Sequence, residues 1–354
     1  MSWQGIQGHD DLVDYFRRAL ARGRLASSFL FVGPEGIGKC TFAVKFVQAL
    51  LCQQRRETSL DPCGVCPSCA QVTAGTHPDL SLISKPEGKA EIPLSLLIGD
   101  REHRREEGLC HELALKPQYG GRKAAIIDDA DYLNEEGANA LLKILEEPPP
   151  KSLLILIGTT PVKQLPTVRS RCQLIRFRPL PDNVVAEILL SQGLVRNAAE
   201  AQHLARHCGG SVRRAMELND PELWAFRRSF LQQLSRPTWN FLSLAREAAQ
   251  FVEQAGKEAA ARRMRLRTII EFAVEFFQCL LHTYYGREPG NMIGDTELQT
   301  LARKALENGD YDVETIIARL ERSLDALSQL ERNVNQTTLL ECWLDDVVAG
   351  CRPI

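Results

Sequence analysis

Three short apolar runs stand out in the first half of the chain: Phe29-Leu30-Phe31-Val32, Ala124 to Ile127, and Leu153 to Gly158. None alternates apolar with polar positions, so each reads as a strand covered on both faces, as in a parallel sheet with helices on either side. Between them the spacing is helical. One helix is predicted from Cys40 to about Leu51, and another from Asn134, a good N-cap, to Glu147, where Pro148-Pro149-Pro150 ends it. Strands alternating with helices predict an α/β fold. Pro179-Leu180-Pro181 and Asn219-Asp220-Pro221 read as linkers, with room between them for three short helices and Gly209-Gly210 separating the last pair. From Leu223 onward helical spacing dominates, clearest in Ile316, Leu320, Leu324, Leu327 and Leu330. The expected parts are an α/β domain over 1–178, a small helical domain over 179–221 and an all-helical domain over 222–354.

A chain of 354 residues exceeds what one hydrophobic core supports, in keeping with several domains. With 44% hydrophobic and 25% charged residues it should fold throughout. The net charge of −2 provides no overall positive field to hold nucleic acid, so any DNA contact is local or shared with partner subunits. Arg101, Arg104 and Arg105 alternate with Glu102, Glu106 and Glu107 and read as a solvated helix face. The start lacks the charge and apolar stretch of a leader, and the longest apolar run, Leu153 to Ile157, is too short to span a bilayer. A cytoplasmic protein with no membrane contact is expected.

Directly after the first strand comes Gly33-Pro34-Glu35-Gly36-Ile37-Gly38-Lys39-Cys40-Thr41, the spacing of a phosphate-binding loop. Its glycines let backbone N–H groups curl around phosphates at a helix N-terminus, with Lys39 reaching the terminal phosphates. The departure is Cys40, where the motif has a serine or threonine hydroxyl for Mg²⁺. A soft thiol is a poor ligand for that hard cation, and Thr41 points roughly 100° away around the helix. ATP or ADP binding is therefore expected, with Mg²⁺ weak or absent and hydrolysis slow. The run Ala124-Ala125-Ile126-Ile127-Asp128-Asp129 follows a Walker B strand, in which Asp128 would hold Mg²⁺ through water and Asp129 stands, one methylene short, where a glutamate usually polarises the attacking water.

Cys63-Gly64-Val65-Cys66-Pro67-Ser68-Cys69 places three thiols at successive x₂ spacing, with Cys52 upstream. Four thiolates close a tetrahedral structural zinc site, with an iron–sulfur cluster as the rival. In a long chain of this kind the eleven cysteines are expected as reduced thiols.

These blocks, taken in order, resemble the AAA+ clamp-loader subunits of bacterial DNA polymerase III. The resemblance covers the first 220 residues: Ile6-Gln7-Gly8-His9, Ser28 to Pro34, the cysteine cluster, Gly75-Thr76-His77-Pro78-Asp79, Asn139 to Pro149, Gly158-Thr159-Thr160-Pro161 and Ser170-Arg171-Cys172. It implies a RecA-like AAA+ core with a zinc module, a helical lid, and a helical collar that packs against other subunits. It further implies that Arg171 enters a neighbouring subunit's ATP site as an arginine finger, stabilising charge on the transferring phosphoryl group. Thr159 or Thr160 resembles sensor 1, and Arg213, with Arg214 beside it, sensor 2. Thr76-His77-Pro78-Asp79 and Asn333-Val334-Asn335 are closer to the delta-prime type than to gamma/tau. The implied partners are the delta and gamma/tau subunits, the sliding clamp, and primed DNA through the assembled complex. An ATP-hydrolysing motor of gamma/tau type is the alternative. A small-molecule kinase has no acceptor pocket or base to support it.

Overall fold

The computed structural model describes residues 3–100, 102–103, 106–119, 121–236, 240–286, 296–308, 311–332 and 334–349. Arg101, Arg104, Arg105 and Asn333 lie outside the described residues. The chain divides into two compact units, Met1–Met216 and Glu217–Ile354.

In the first unit the strands β1 (Ser28–Val32), β2 (Leu80–Ile83), β3 (Lys123–Ile127), β4 (Ser152–Gly158) and β5 (Gln173–Arg176) form one parallel sheet in the order β2-β3-β4-β1-β5. The three strands expected from the sequence are its centre, and every residue in them is buried. β2 and β5 are the edges, four residues each and only partly buried. Too short and too polar to read as apolar runs, they escape the pattern that reveals the others.

The fully apolar central strands follow from a sheet covered on both sides. On one face Phe29, Phe31, Ile126, Ile155 and Ile157 pack with Phe16 of α1 (Asp10–Ala21) and with Phe42 and Phe46 of α2 (Lys39–Leu51). Aromatic rings dominate there, with Phe16 and Phe46 centred 4.4 Å apart and Phe16 edge-on to Phe29 at 5.4 Å. Each such fully buried ring contributes about 1.5–3 kcal/mol. On the other face Leu30, Val32, Ile127, Leu154 and Leu156 meet α4 (Leu94–Ile98), α5 (Leu109–Ala114) and α6 (Glu135–Glu146). α3 (Pro67–Ala74) follows α2 after a loop, and α7 (Pro166–Arg169) leads into β5. Asn134 caps α6 as expected, its side chain accepting the Gly137 amide at 2.8 Å. The three short helices between the linkers are α8 (Asp182–Ser191), α9 (Ala198–His207) and α10 (Val212–Glu217).

The second unit is helical throughout its described residues: α11 (Pro221–Leu234), α12 (Phe241–Glu253), α13 (Ala259–Tyr284), α14 (Thr296–Glu307), α15 (Val313–Glu331) and α16 (Gln336–Ala349). In α15 the helical row of Ile316, Leu320, Leu324, Leu327 and Leu330 is only partly turned to the core. Ile316 and Leu330 are buried, but Leu324 is 46% exposed, while Ser323 and Ala326 are fully buried. The reason is Trp343 of α16, which is itself fully buried and donates from Nε1 to Ser323 Oγ at 3.1 Å. A large ring against α15 needs small residues opposite it. No helix among the described residues is long and apolar enough to cross a membrane.

Candidate nucleotide and metal sites

In an open parallel sheet ligands bind beyond the carboxyl ends of the strands. The Gly33–Lys39 loop leaves β1 there and enters α2, whose N-cap is Gly38 at φ +91°, a conformation that a residue with a side chain adopts only under strain. The amides of the first turn of α2 thus face outward at the positive end of a helix dipole. They border a cavity of about 410 Å³, the size of a small-ligand pocket. Gly36, Gly38, Lys39, Cys40, Thr41, Asp128, Asp129, Thr159 and Arg213 all line it. Thr160 and Arg214 are not on its wall, and Gly33 stands behind it, its amide donating to Thr159 O at 3.1 Å.

Close packing brings Arg213 into place. A Cβ at Gly36 would lie 2.3 Å from Ser211 Oγ and 2.5 Å from Arg213 Cβ, and Gly36 O accepts the Val212 amide at 3.0 Å. α10 therefore sits directly on the phosphate loop. On the opposite side His9 donates from Nε2 to Ile37 O at 2.9 Å, since a carbonyl only accepts, and fixes the loop to the start of α1. Ile6, Gln7 and His9, noticed in the sequence only as a family block, are cavity residues.

The charges of the site oppose one another. Lys39 is 7% exposed and donates from Nζ to Gly33 O at 2.7 Å and Pro34 O at 2.5 Å. Burial pulls its pKa down, against the pull of Glu35, Asp128, Asp131 and Asp129. Burial pushes the Cys40 thiol up to about 12, helped by the charge of Asp128 and a hydrogen bond to it. Asp129, at φ +58°, is also raised, by burial and then by Asp128 and Glu35. Its amide donates to Asp128 Oδ1 at 3.0 Å.

Asp131 is the site residue that motif reading missed. It lines the cavity and accepts the Thr159 amide at 2.8 Å, the Thr159 hydroxyl, and Gln164 Nε2 at 3.1 Å. The signal was present in Asp128-Asp129-Ala130-Asp131, but only the turn over Ala130–Tyr132 brings the third acid back beneath the end of β4.

Arg171 is nowhere near this cavity. The register of β5 on β1 pairs Gln173 with Phe29 and Arg176 with Val32. Arg171, before β5, is thus at the amino end of the sheet, at least about 10 Å along the strands from the phosphate loop. Its guanidinium reaches Glu146 at 2.7 Å and Thr167 O at 2.9 Å, and its side chain is 34% exposed. It cannot serve the chain's own cavity. It is open to another molecule.

The four cysteines meet as expected. Cys52 ends α2, Cys66 caps α3 and Cys69 lies in its first turn. Their sulfurs and that of Cys63 all lie within 4.8 Å of one another. A tetrahedral ion with metal–sulfur bonds of about 2.3 Å spaces its sulfurs by about 3.8 Å, so the set fits one ion. The Cys66 amide donates to Cys63 Sγ at 3.3 Å and the Cys69 amide to Cys66 Sγ at 3.4 Å, as thiolates favour. Burial opposes ionisation of Cys66, yet amides of Cys69 and Gln53 hold it down to about 6, while burial pushes the Cys69 thiol up to about 12. The described cysteines are all free thiols.

The neighbouring block Thr76-His77-Pro78-Asp79 ties this module to the sheet. Ser68 gives its hydroxyl proton to Leu51 O at 2.7 Å, so it accepts at 2.8 Å from His77 Nε2, leaving Nδ1 to accept the Asp79 amide at 3.0 Å. Burial lowers the His77 pKa, which suits this neutral tautomer. Asp79, 1% exposed, accepts the Gln118 and Tyr119 amides at 2.8 and 3.2 Å and pairs with Lys123 at 3.7 Å at the start of β3.

A family model described as DNA polymerase III, delta subunit, matches residues 8–181. The DNA polymerase III subunit delta' of Pseudomonas aeruginosa is 36% identical over 199 residues, a match that spans 56% of this chain and 57% of that protein. The subunit delta' of Bacillus subtilis is 27% identical over 335 residues, covering 91% of each chain. The subunit gamma/tau of Mycobacterium tuberculosis is 30% identical over 223 residues, 62% of this chain but 36% of that protein. Similarity to the Bacillus subtilis delta' runs through both compact units. The chain is thus similar to delta' subunits of DNA polymerase III along most of its length.

Proposed function

We propose that the chain is the delta-prime subunit of a bacterial clamp loader, acting in the cytoplasm with delta and gamma/tau subunits to load a sliding clamp onto primed DNA. The observation that carries this reading is the match to a delta' subunit along 91% of both chains, helical unit included. Residues 179–221 act as the lid over the nucleotide and residues 222–354 as the collar that packs against other subunits. Gly36, Gly38 and Lys39 cradle the phosphates of ATP or ADP, Arg213 approaches them from the lid, and Thr159, oriented by Asp131, faces the terminal phosphate. Gly33 and Thr160 support the loop and strand end from behind. Hydrolysis here is slow, since Cys40 supplies no hydroxyl and Asp129 is short and held toward its neutral form. Arg171 acts in trans on the ATP of the adjoining subunit. Zn²⁺ held by Cys52, Cys63, Cys66 and Cys69 is structural, because four protein ligands leave no open position for chemistry.

The intact cradle of Gly38, Lys39 and Arg213 supports a second reading, an ATP-hydrolysing motor. Two measurements separate them. Co-expression with delta and gamma/tau subunits should give a stable mixed assembly, and single-turnover hydrolysis by the isolated chain should be slow and should rise in Cys40→Ser. Vigorous hydrolysis by the wild-type chain without affinity for those subunits would favour the motor.

A further inference from the structure

We infer that the nucleotide site of this chain operates without magnesium, because on the cavity wall between the phosphate loop and β3 the thiol of Cys40 stands where a divalent cation needs an oxygen. The inference rests on reading the cavity as a nucleotide site. In phosphate-loop proteins Mg²⁺ is held by the loop hydroxyl and the carboxylate that ends the neighbouring strand. It demands oxygen ligands in near-octahedral geometry.

The oxygens on this side of the cavity are already committed. Cys40, a neutral thiol, lines the cavity together with Asp128 and offers sulfur where the motif has a hydroxyl oxygen. Asp128 Oδ1 accepts the Asp129 amide. Both carboxylate oxygens of Asp131 are occupied, one by Thr159 and one by Gln164. Asp129 is biased toward its protonated form by burial and by its acidic neighbours. Glu35 is left, on the loop itself; waters and phosphate oxygens could complete an octahedron, but the ligand position at the start of α2 is filled by the soft sulfur of Cys40 instead of an oxygen. The residues present therefore do not fit Mg²⁺.

The anion-binding half of the cavity is complete by contrast. The first-turn amides of α2, Lys39 and Arg213 all border the space where phosphates would sit. Phosphate charge is then met by the protein's own donors, and affinity should not depend on a metal.

The test is calorimetric titration of ADP into the full-length chain, once with excess Mg²⁺ and once with EDTA. The wild-type affinities should agree within about twofold. Cys40→Ser, which restores the oxygen, should bind ADP more tightly with Mg²⁺ than with EDTA by at least about tenfold, the usual effect of altering a metal's immediate surroundings. Wild-type binding that tightens tenfold with Mg²⁺ would overturn the inference while leaving the nucleotide site standing. Absence of ADP binding in both buffers would remove the nucleotide reading and this inference together. The wild-type pair of titrations decides the matter even if the variant does not fold.

Discussion

Asp131 offers the sharpest stability test, because its role is written in three hydrogen bonds and in no motif. Asp131→Ala deprives the Thr159 amide, the Thr159 hydroxyl and Gln164 Nε2 of their shared acceptor. Each bond to a charged acceptor is worth about 1.5–3 kcal/mol, but the hydroxyl and the Gln164 amide can turn to other partners, so the expected loss is about 3 kcal/mol. Asp131→Asn keeps one oxygen for Thr159 and turns an NH₂ toward Gln164, whose amide can rotate to present its own oxygen. Its expected cost is about 1 kcal/mol. In a folding unit of this size one kcal/mol moves the thermal midpoint by about 2–4 °C, so alanine should lower it by about 6–12 °C and asparagine by about 2–4 °C. Thermal melts of the two variants beside the wild type measure this directly. Equal losses, or no shift in either, would refute the account of Asp131 as the support of Thr159.

Other outcomes follow from the same geometry. Purified chain should carry about one zinc ion, and Cys69→Ser should lose it along with several kcal/mol of stability, measured by metal analysis and thermal melting. Asp129→Asn should raise the thermal midpoint at neutral pH. The folded chain holds the Asp129 proton more tightly than the unfolded chain does, so its ionisation costs stability as pH rises above the ordinary carboxylate range. The gain should therefore fade in acid and vanish below about pH 3, where both states are protonated. Asparagine also tolerates the left-handed backbone at this position, so the substitution adds no strain.

What could be read from the sequence was whatever one segment decides by itself. Fully buried strands must be apolar at every position, so β1, β3 and β4 were plain, and a glycine loop between strand and helix leaves few other uses. The metal-spaced cysteines were equally legible, since consecutive x₂ spacing brings thiols to one turn and a loop returns Cys52. What could not be read depends on other segments. The edge strands are defined by the partner that each lies against. The buried face of α15 is set by Trp343, twenty residues away from Ser323. Asp131 acquires its role only when β4 places Thr159 above it, and that Thr159 and Arg213 line the cavity while Thr160 and Arg214 do not depends on how β4 and α10 approach the loop. The Thr76-His77-Pro78-Asp79 block was recognisable by likeness, but its work as a tie between the metal module and β3 needed the contacts of Ser68, Gln118 and Lys123.

The proposed role is that of a chain that lends a cation to its neighbour rather than spending its own nucleotide. Within the isolated chain Arg171 makes a partly exposed ion pair with Glu146 and an exposed bond to Thr167 O, so Arg171→Ala should cost about 1 kcal/mol of stability. The deciding measurement is the steady-state ATPase of the clamp loader assembled with delta and gamma/tau subunits, wild type against Arg171→Ala. An arginine finger is worth about 10³–10⁵ in turnover at the site it serves, so that site should fall silent and the assembly's rate should drop accordingly. Full turnover by an intact assembly containing the variant would contradict the claim.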